Sequence, residues 1–157
     1  LVLIGDGQYR MKLERLSVDL RVSERVCFLG QLPAGQAIRG QLDQAHLFVL
    51  PSRTEGLPRA MIEAMARGLP CIGSAVGGIP ELLQKEELVP AGDAMALAEK
   101  IKEVVGDPQR LAAMARRNLA VSRQYHEALL RKPRMRFYEY IRAKAAERMT
   151  CRRMPDS

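Results

Sequence analysis

Short apolar runs alternate with helical periodicities along the first 93 residues of the chain. The apolar runs predict buried strands at LVLIG (1–5), RVCFLG (25–30), HLFVLP (46–51) and LPCIG (69–73), with a brief extended segment at 88–93. Between these runs, apolar residues recur at helical spacing. They predict helices over 8–20, from Pro33 to about residue 44, and after the third strand up to Arg67. Gly68 is a natural C-cap for the last of these helices. This alternation predicts an α/β fold in which a parallel sheet carries helices on both faces.

The pattern is helical only from Ala94 onward. Helices are predicted over 94–105, 108–121 and 134–149. Pro133 is expected to separate the last helix from the segment before it. The predicted organisation is therefore a sheet-containing domain over 1–121, a C-terminal helical extension over 122–149 and a basic tail over 150–157.

Length and composition indicate a globular chain. Its 157 residues, 47% of them hydrophobic, are enough for one domain with a buried core. No apolar run reaches the ~20 residues that a membrane-spanning helix needs. Because the chain begins inside a strand pattern and without an initiator methionine, we expect it to be truncated at its N-terminus.

Cysteine and histidine usage adds two expectations. Cys27, Cys71 and Cys151 have no spacing typical of a disulfide framework, which predicts a reducing, cytoplasmic location. The two histidines, His46 and His126, lie far apart and no CxxC occurs, so we predict no metal site.

Charge is concentrated at the C-terminal end of the chain. Residues 116–157 hold twelve Lys or Arg against four Asp or Glu, a net +8, whereas the remainder holds 13 against 14. Such a basic segment suits an anionic lipid surface, a nucleic acid or a phosphorylated substrate, and solvated helix faces explain it equally well. Few aromatic residues accompany the charges and no nucleic-acid-binding module occurs, so we predict no nucleic-acid partner.

The stretch SRTEGLPRAMIEAMARGLP (52–70) carries the chemistry of greatest interest. Pro58 suits the first position of a helix, so the N–H groups around it, from Gly56 to Ala60, would project from the helix start. Such a start attracts anions, phosphate above all. The turn follows a strand, at the sheet edge where α/β proteins bind ligands. An ordinary strand-to-helix turn that binds water is the alternative.

Glu63 lies five residues beyond Pro58, about 7–8 Å along the helix axis. Its carboxylate could accept two hydrogen bonds from the vicinal hydroxyls of a sugar while phosphates sit at the helix start. The structural alternative is an ion pair with Arg67, in the favourable i,i+4 order. Two carboxylates also suit glycoside hydrolysis, which we rank lower because a hydrolase has no use for a phosphate-binding helix start.

Three further glycine patterns are less informative. The GDG turn at 5–7 is followed by Arg10, so the dinucleotide-binding fingerprint lacks its third glycine. The phosphate-binding loop GxxxxGK[ST] is absent from the sequence. Gly77 and Gly78 form a second glycine turn, for which tight packing of a helix against the sheet is the simplest explanation.

Taken in order, GDG, VCFLG, HLFVLPS, EGLPRAMIEAMARGLPCIGSAVGGIPE and LVPAGD resemble the C-terminal, donor-binding half of a family 4 glycosyltransferase with the two-domain GT-B architecture. The resemblance covers residue 1 to about residue 105, and the FYEYIR segment is similar to the C-terminal helix of that family. It implies a Rossmann-like domain over 1–121 that binds a nucleotide sugar, one half of a GT-B fold.

The resemblance also implies roles for individual residues. Glu55 and Glu63 match the family's paired-glutamate motif: Glu55, the catalytic residue, would lie by the donor sugar, and Glu63 would hold the ribose. The remaining donor contacts that it implies are the diphosphate contacts Gly56, Leu57, Pro58 and Arg59 and the nucleobase contacts Phe28, Gly30 and Gln31.

The implied reaction is transfer of a sugar from a UDP-, GDP- or ADP-sugar to an acceptor hydroxyl, with retention of anomeric configuration. No cofactor or metal is expected, and the sequence contains no DxD. The family's basic Arg/Lys pair would precede residue 1, and so would the N-terminal acceptor domain. We therefore expect the isolated chain to be inactive.

Two rival functions stay open at this stage. A sugar-nucleotide epimerase shares the GT-B architecture, and a non-catalytic sugar-nucleotide-binding module would keep the fold without the chemistry. An anionic membrane surface or a lipid-linked acceptor is a further expected partner, which would make the protein cytoplasmic and peripheral to the inner face of the membrane.

Overall fold

The computed structural model describes the backbone of residues 1–151 and the side chains of residues 1–147. The chain divides into two compact units, Leu1–Ala45 and a second that begins at His46. The domain boundaries expected from the sequence stay a prediction. Residues 152–157 of the expected basic tail lie outside the described part.

The first unit is a pair of parallel strands with their helices. Its elements are β1 (Val2–Ile4), α1 (Arg10–Asp19), β2 (Cys27–Gly30) and α2 (Gln36–Asp43). Val2 pairs with Cys27 in parallel register, and the Gly5 N–H extends the ladder by donating to the Gly30 carbonyl at 2.8 Å. Both strands therefore end at the same edge of this sheet.

Two expectations for the first unit need correction. The first strand is not fully buried, since Val2 is 51% exposed, and the apolar residues of α1 also face solvent. Nothing in the described part of the chain covers them. The second helix begins at Gln36 rather than Pro33, because Gly35 has a φ of +94°, a left-handed conformation that an α-helix cannot include.

The second unit contains the larger sheet and most of the helices. Its elements are β3 (Phe48–Leu50), α3 (Arg59–Ala66), β4 (Cys71–Ser74), α4 (Ile79–Leu82), β5 (Leu88–Val89), α5 (Ala94–Val105), α6 (Pro108–Ser122) and α7 (Glu127–Cys151). The strands run parallel in the order β3–β4–β5, so their carboxyl ends share one edge. The predicted α/β, Rossmann-like parallel fold is confirmed.

The core of the second unit surrounds β4, every residue of which is buried. Ile72 packs there with Val89 of β5, Val104 of α5 and Met114 of α6. Met61 and Met65 of α3 are also fully buried. The strand that precedes the second glycine turn is thus buried along its whole length, which limits how far that turn can move.

The last helix corrects the prediction made for Pro133. Helix α7 runs without interruption through Pro133, although that residue was expected to separate two helices. A proline inside a helix removes one backbone hydrogen bond and bends the axis, which a long helix can tolerate. No helix among the described residues has the length and apolar content that crossing a bilayer requires.

Candidate functional site

The turn between β3 and α3 holds the first of the two predicted glutamates. Glu55 is half-buried, and its Oε1 accepts a hydrogen bond of 2.7 Å from the Ser52 hydroxyl. Ser52 comes two residues after β3, so this bond fixes the carboxylate near the end of the strand. Ser52 was not among the predicted site residues, although its spacing of three residues from Glu55 is typical of local side-chain hydrogen bonding.

Helix α3 begins at Arg59, one residue later than predicted. Pro58 is its N-cap residue, with φ −75° and ψ 106°, and the Pro58 carbonyl accepts the Ile62 N–H at 3.2 Å. No side chain caps this end of the helix. The N–H groups of the first turn, beginning with Arg59 and Ala60, are therefore open to an anionic ligand.

Glu63 is the fifth residue of α3, and its side chain is exposed. Within residues 1–147, whose side chains are described, its carboxylate has no hydrogen-bond or ion-pair partner. The ion pair with Arg67 that the sequence allowed is thus not formed. Glu63 is therefore available to a ligand that binds near the start of the helix.

The second glycine turn packs directly against the Glu55 turn. The Gly78 N–H donates to the Gly56 carbonyl oxygen at 2.8 Å. A Cβ on Gly77 would overlap the Glu55 carbonyl oxygen and lie 2.7 Å from its carbonyl carbon. These glycines therefore permit contact between two loops, which corrects the expected packing of a helix against the sheet.

A cation that the sequence analysis did not single out lies at the same edge. Arg53 follows β3, and its Nε would be 3.9 Å from a Cβ on Gly92, in the loop after β5. Its guanidinium group thus lies beside the loop after β5, which ends at the same edge as β3. Together with exposed Arg59, it gives this edge positive charge that favours phosphate. Arginine in a polar turn is common, so the sequence alone gave no reason to select it.

The predicted nucleobase contacts lie in the first unit, at and just after the end of β2. Phe28 is half-buried, Gly30 is buried and Gln31 is exposed. Arg10 reaches this point from α1: its Nη2 donates to the Phe28 carbonyl at 3.5 Å, and its Nη1 would be 2.9 Å from a Cβ on Gly30. The arginine that breaks the dinucleotide fingerprint thus supports the end of β2. The role of these residues in base binding stays a prediction.

No group of three or more His, Cys, Asp or Glu side chains in the described part of the chain could hold a metal ion. The expectation that the chain needs no metal stays a prediction.

The fold and this edge define a parallel α/β protein with a candidate site for a phosphorylated ligand. The family model described as "Glycosyl transferases group 1" matches residues 1–120. The chain belongs to the group 1 glycosyltransferase family. The resemblance noted in the sequence is confirmed at this level.

A relative and two solved structures illustrate the match. The chain is 37% identical over 123 residues to the GDP-mannose-dependent monoacylated alpha-(1-6)-phosphatidylinositol monomannoside mannosyltransferase of Corynebacterium glutamicum, covering 73% of this chain and 32% of that protein. Sucrose-phosphate synthase from Thermosynechococcus elongatus superposes with a TM-score of 0.82 at 28% identity, covering 92% of this chain and 39% of that one. The Anabaena protein HepE, in complex with UDP-glucose, superposes with a TM-score of 0.73 at 28% identity, covering 78% of this chain and 35% of that one.

The chain therefore spans about a third of the length of the curated relatives it matches. The matched structures are likewise longer than this chain. The chain is thus similar to a part of each of these proteins, and the similarity does not extend to their whole length.

Proposed function

We propose that this chain is the donor-binding, C-terminal part of a retaining family 4 glycosyltransferase with GT-B architecture. The whole enzyme would move a sugar from a nucleoside diphosphate sugar to an acceptor hydroxyl. The observation that carries the proposal is the placement of two carboxylates around one uncapped helix start. Glu55, held by Ser52, precedes the start of α3, and exposed Glu63 follows it. The printed names of a GDP-mannose-dependent relative and a UDP-glucose complex support a nucleotide-sugar donor.

In this proposal the donor lies along the first turns of α3. The diphosphate accepts hydrogen bonds from the amides of Gly56, Leu57 and Arg59. The positive end of the α3 dipole offsets the negative charge of the diphosphate. Pro58 has no N–H and contributes its fixed φ to the turn. Glu63 accepts hydrogen bonds from the ribose hydroxyls, for which an unpaired, exposed carboxylate is suited.

The reaction breaks the bond between the anomeric carbon and the diphosphate oxygen. The acceptor oxygen bonds to the same carbon on the same face, and its hydroxyl proton passes to an oxygen of the departing diphosphate. Negative charge grows on the leaving diphosphate, and the fixed dipoles at the start of α3 stabilise it without reorganisation. Glu55 lies by the donor sugar, where its negative charge stabilises the positive charge that develops on the ring.

We propose that no metal takes part in this reaction. The positive charge that a metal would supply comes instead from the start of α3 and from Arg53 and Arg59. Activity of the whole enzyme should then survive a chelator such as EDTA.

The acceptor side of the proposal lies outside this chain. An N-terminal domain would bind the acceptor, and a lipid-linked acceptor would place the enzyme at the inner, anionic face of a membrane. Helix α7 supports this placement, because it exposes Phe137, Tyr138 and Tyr140 among many basic residues. Sedimentation with vesicles that contain phosphatidylglycerol, compared with neutral vesicles, tests this part.

Calorimetric titration with UDP, GDP, ADP and their sugar conjugates tests the donor site. We expect saturable binding of one nucleotide, weakened about tenfold or more by Glu63→Ala through loss of the ribose contacts. Glu99→Ala is the matched control, since Glu99 is an exposed glutamate on α5 of the same unit. Failure of all three nucleotides to bind at millimolar concentration would contradict the proposal for this chain, as would equal effects of the two substitutions.

A further inference from the structure

The contact between the two turns of the second unit fixes the direction of two backbone amides. The Glu55 carbonyl lies against Gly77, and the Gly56 carbonyl accepts the Gly78 N–H. The described peptide bonds are trans, in which the N–H points opposite to the C=O of the same peptide group. The Gly56 N–H and the Leu57 N–H therefore point away from the glycine turn.

These two N–H groups have no hydrogen-bond partner within residues 1–147. They belong to the exposed residues Gly56 and Leu57, just before the start of α3. An anion at that helix start would thus meet two donors already oriented before it arrives. Orientation in advance avoids the ordering cost of binding, which raises affinity.

The glycine turn is itself firmly anchored. It follows β4, whose residues are all buried, and precedes Ile79 and Leu82, which are buried in α4. Inside the turn, the Val76 N–H bonds to the Ser74 carbonyl at 2.8 Å and the Ile79 N–H to the Val76 carbonyl at 3.1 Å. Most residues of the Glu55 turn, by contrast, are exposed. The anchored glycine turn therefore sets the position of the Glu55 turn.

We propose that the turn formed by Gly77 and Gly78 is a positioning element that aims the Gly56 and Leu57 amides at the donor diphosphate. This role rests on the proposed function, and neither glycine needs to touch the donor. Only glycine fits at either place. Gly77 has a φ of +53° and leaves no room for a side chain, and a Cβ on Gly78 would lie 2.8 Å from the Gly56 oxygen and 3.1 Å from the Leu57 Cα.

Three alanine substitutions separate positioning from backbone strain. Gly78→Ala adds a methyl group that clashes with the Glu55 turn, but at an ordinary φ of −86°, so it introduces the clash without an unfavourable φ. Gly77→Ala introduces both the clash and an unfavourable φ. Gly68→Ala is the control: it has a φ of +73° in the same unit, and nothing lies within 4 Å of its added Cβ. If Gly77→Ala does not fold, Gly78→Ala carries the test.

The readouts are the ¹H–¹⁵N residual dipolar couplings of Gly56 and Leu57, which report the directions of their N–H bonds, and the affinity for UDP, GDP and ADP. We expect Gly78→Ala to change both couplings and to weaken the nucleotide that binds about tenfold, whereas Gly68→Ala changes neither. A purely structural role for the glycines would lower stability and leave both readouts unchanged. Wild-type affinity and unchanged couplings in Gly78→Ala would overturn the inference, and so would equal effects of Gly68→Ala.

The two proposals can fail separately. If the unaltered chain binds none of the three nucleotides, the proposed function fails for this chain. The positioning is then judged on the dipolar couplings alone. A changed N–H direction at Gly56 and Leu57 in Gly78→Ala but not in Gly68→Ala supports it, and unchanged directions in Gly78→Ala overturn it.

Discussion

The carboxylate of Glu87 lies 2.6 Å from the guanidinium group of Arg117, and only 3% of the glutamate side chain is exposed. The Gln84 N–H also donates to Glu87 Oε2, at 3.0 Å. The pair connects the segment just before β5 with α6. A buried carboxylate has lost its hydration. Removing the cation of such a pair therefore leaves an unpaired buried charge and destabilises the fold.

Removing the cation alone should therefore destabilise the second unit strongly. We expect Arg117→Met to lower the free energy of unfolding by about 3 kcal/mol, the lower end of the range for a broken buried pair, since Arg117 keeps some exposure. Urea unfolding followed by circular dichroism measures this change. The double variant Glu87→Gln with Arg117→Met should lose clearly less free energy of unfolding than Arg117→Met alone. Equal losses in the two variants would show that packing of the arginine, rather than its charge, is what matters.

Stability should also depend on pH through Glu87. Burial raises the pKa of Glu87, and the Gln84 N–H and Arg117 oppose this rise without cancelling it. The folded state therefore binds the proton more tightly than the unfolded chain, whose carboxyl has its ordinary pKa of 4.5. The stabilisation that protonated Glu87 contributes to the folded state is fully present below pH 4.5. It is lost as the pH rises through the raised pKa of the folded state.

The comparison that isolates this effect is the wild type against Glu87→Gln, each unfolded in urea between about pH 4 and pH 8. The stability of the wild type relative to the variant should fall with rising pH, by at most about 1.4 kcal/mol per pH unit, and then level off. A stability difference between wild type and Glu87→Gln that increases with pH would mean that attraction to Arg117 lowers the pKa of Glu87 more than burial raises it.

The proline residues show how far sequence patterns specify the helices. The start of α6 at residue 108 was predicted correctly, because the Asp107 cap and Pro108 act within the same turn. Pro33 and Pro133 were misinterpreted. The left-handed Gly35 delays the start of α2, and α7 continues through Pro133. Proline fixes its own φ and removes one donor, but whether a helix passes through it depends on neighbours and packing that one residue does not encode.

The candidate site was predictable where it is local in sequence. Glu55, Glu63 and the helix start between them follow from one stretch of the chain and from the resemblance it carries. The contact of Gly77 with the Glu55 turn joins segments about twenty residues apart, so only the fold reveals it. Arg53 likewise became notable only through its proximity to the loop after β5. Contacts of this kind are set by strand order, which spacing along the chain does not give.

The two described cysteines should differ sharply in reactivity. Burial raises the pKa of the Cys71 thiol to about 12, and its Sγ–H donates to the Leu69 carbonyl at 3.4 Å, whereas Cys27 is exposed. At pH 8 a thiol with that pKa is ionised in only about one molecule in ten thousand. In a Cys151→Ser background, we expect a disulfide reagent such as DTNB to label one thiol quickly and the second about a thousandfold more slowly. Both should react at once in urea, and two fast thiols in the native state would show that β4 opens readily.

The N-cap of α6 offers a test of local helix stability. Asp107 has an extended ψ of 94°, and its Oδ1 accepts the Arg110 N–H at 2.9 Å. Asp107→Ala removes this acceptor and should cost about 1 kcal/mol in the free energy of unfolding. Asp107→Asn keeps an acceptor oxygen at the same place, so it should cost only a few tenths of that amount, through loss of the negative charge at the helix start. Urea unfolding of both variants at one pH distinguishes these values. Because Pro108 presets the first turn in every case, an alanine variant as stable as the asparagine variant would assign the helix start to the proline rather than to the aspartate cap.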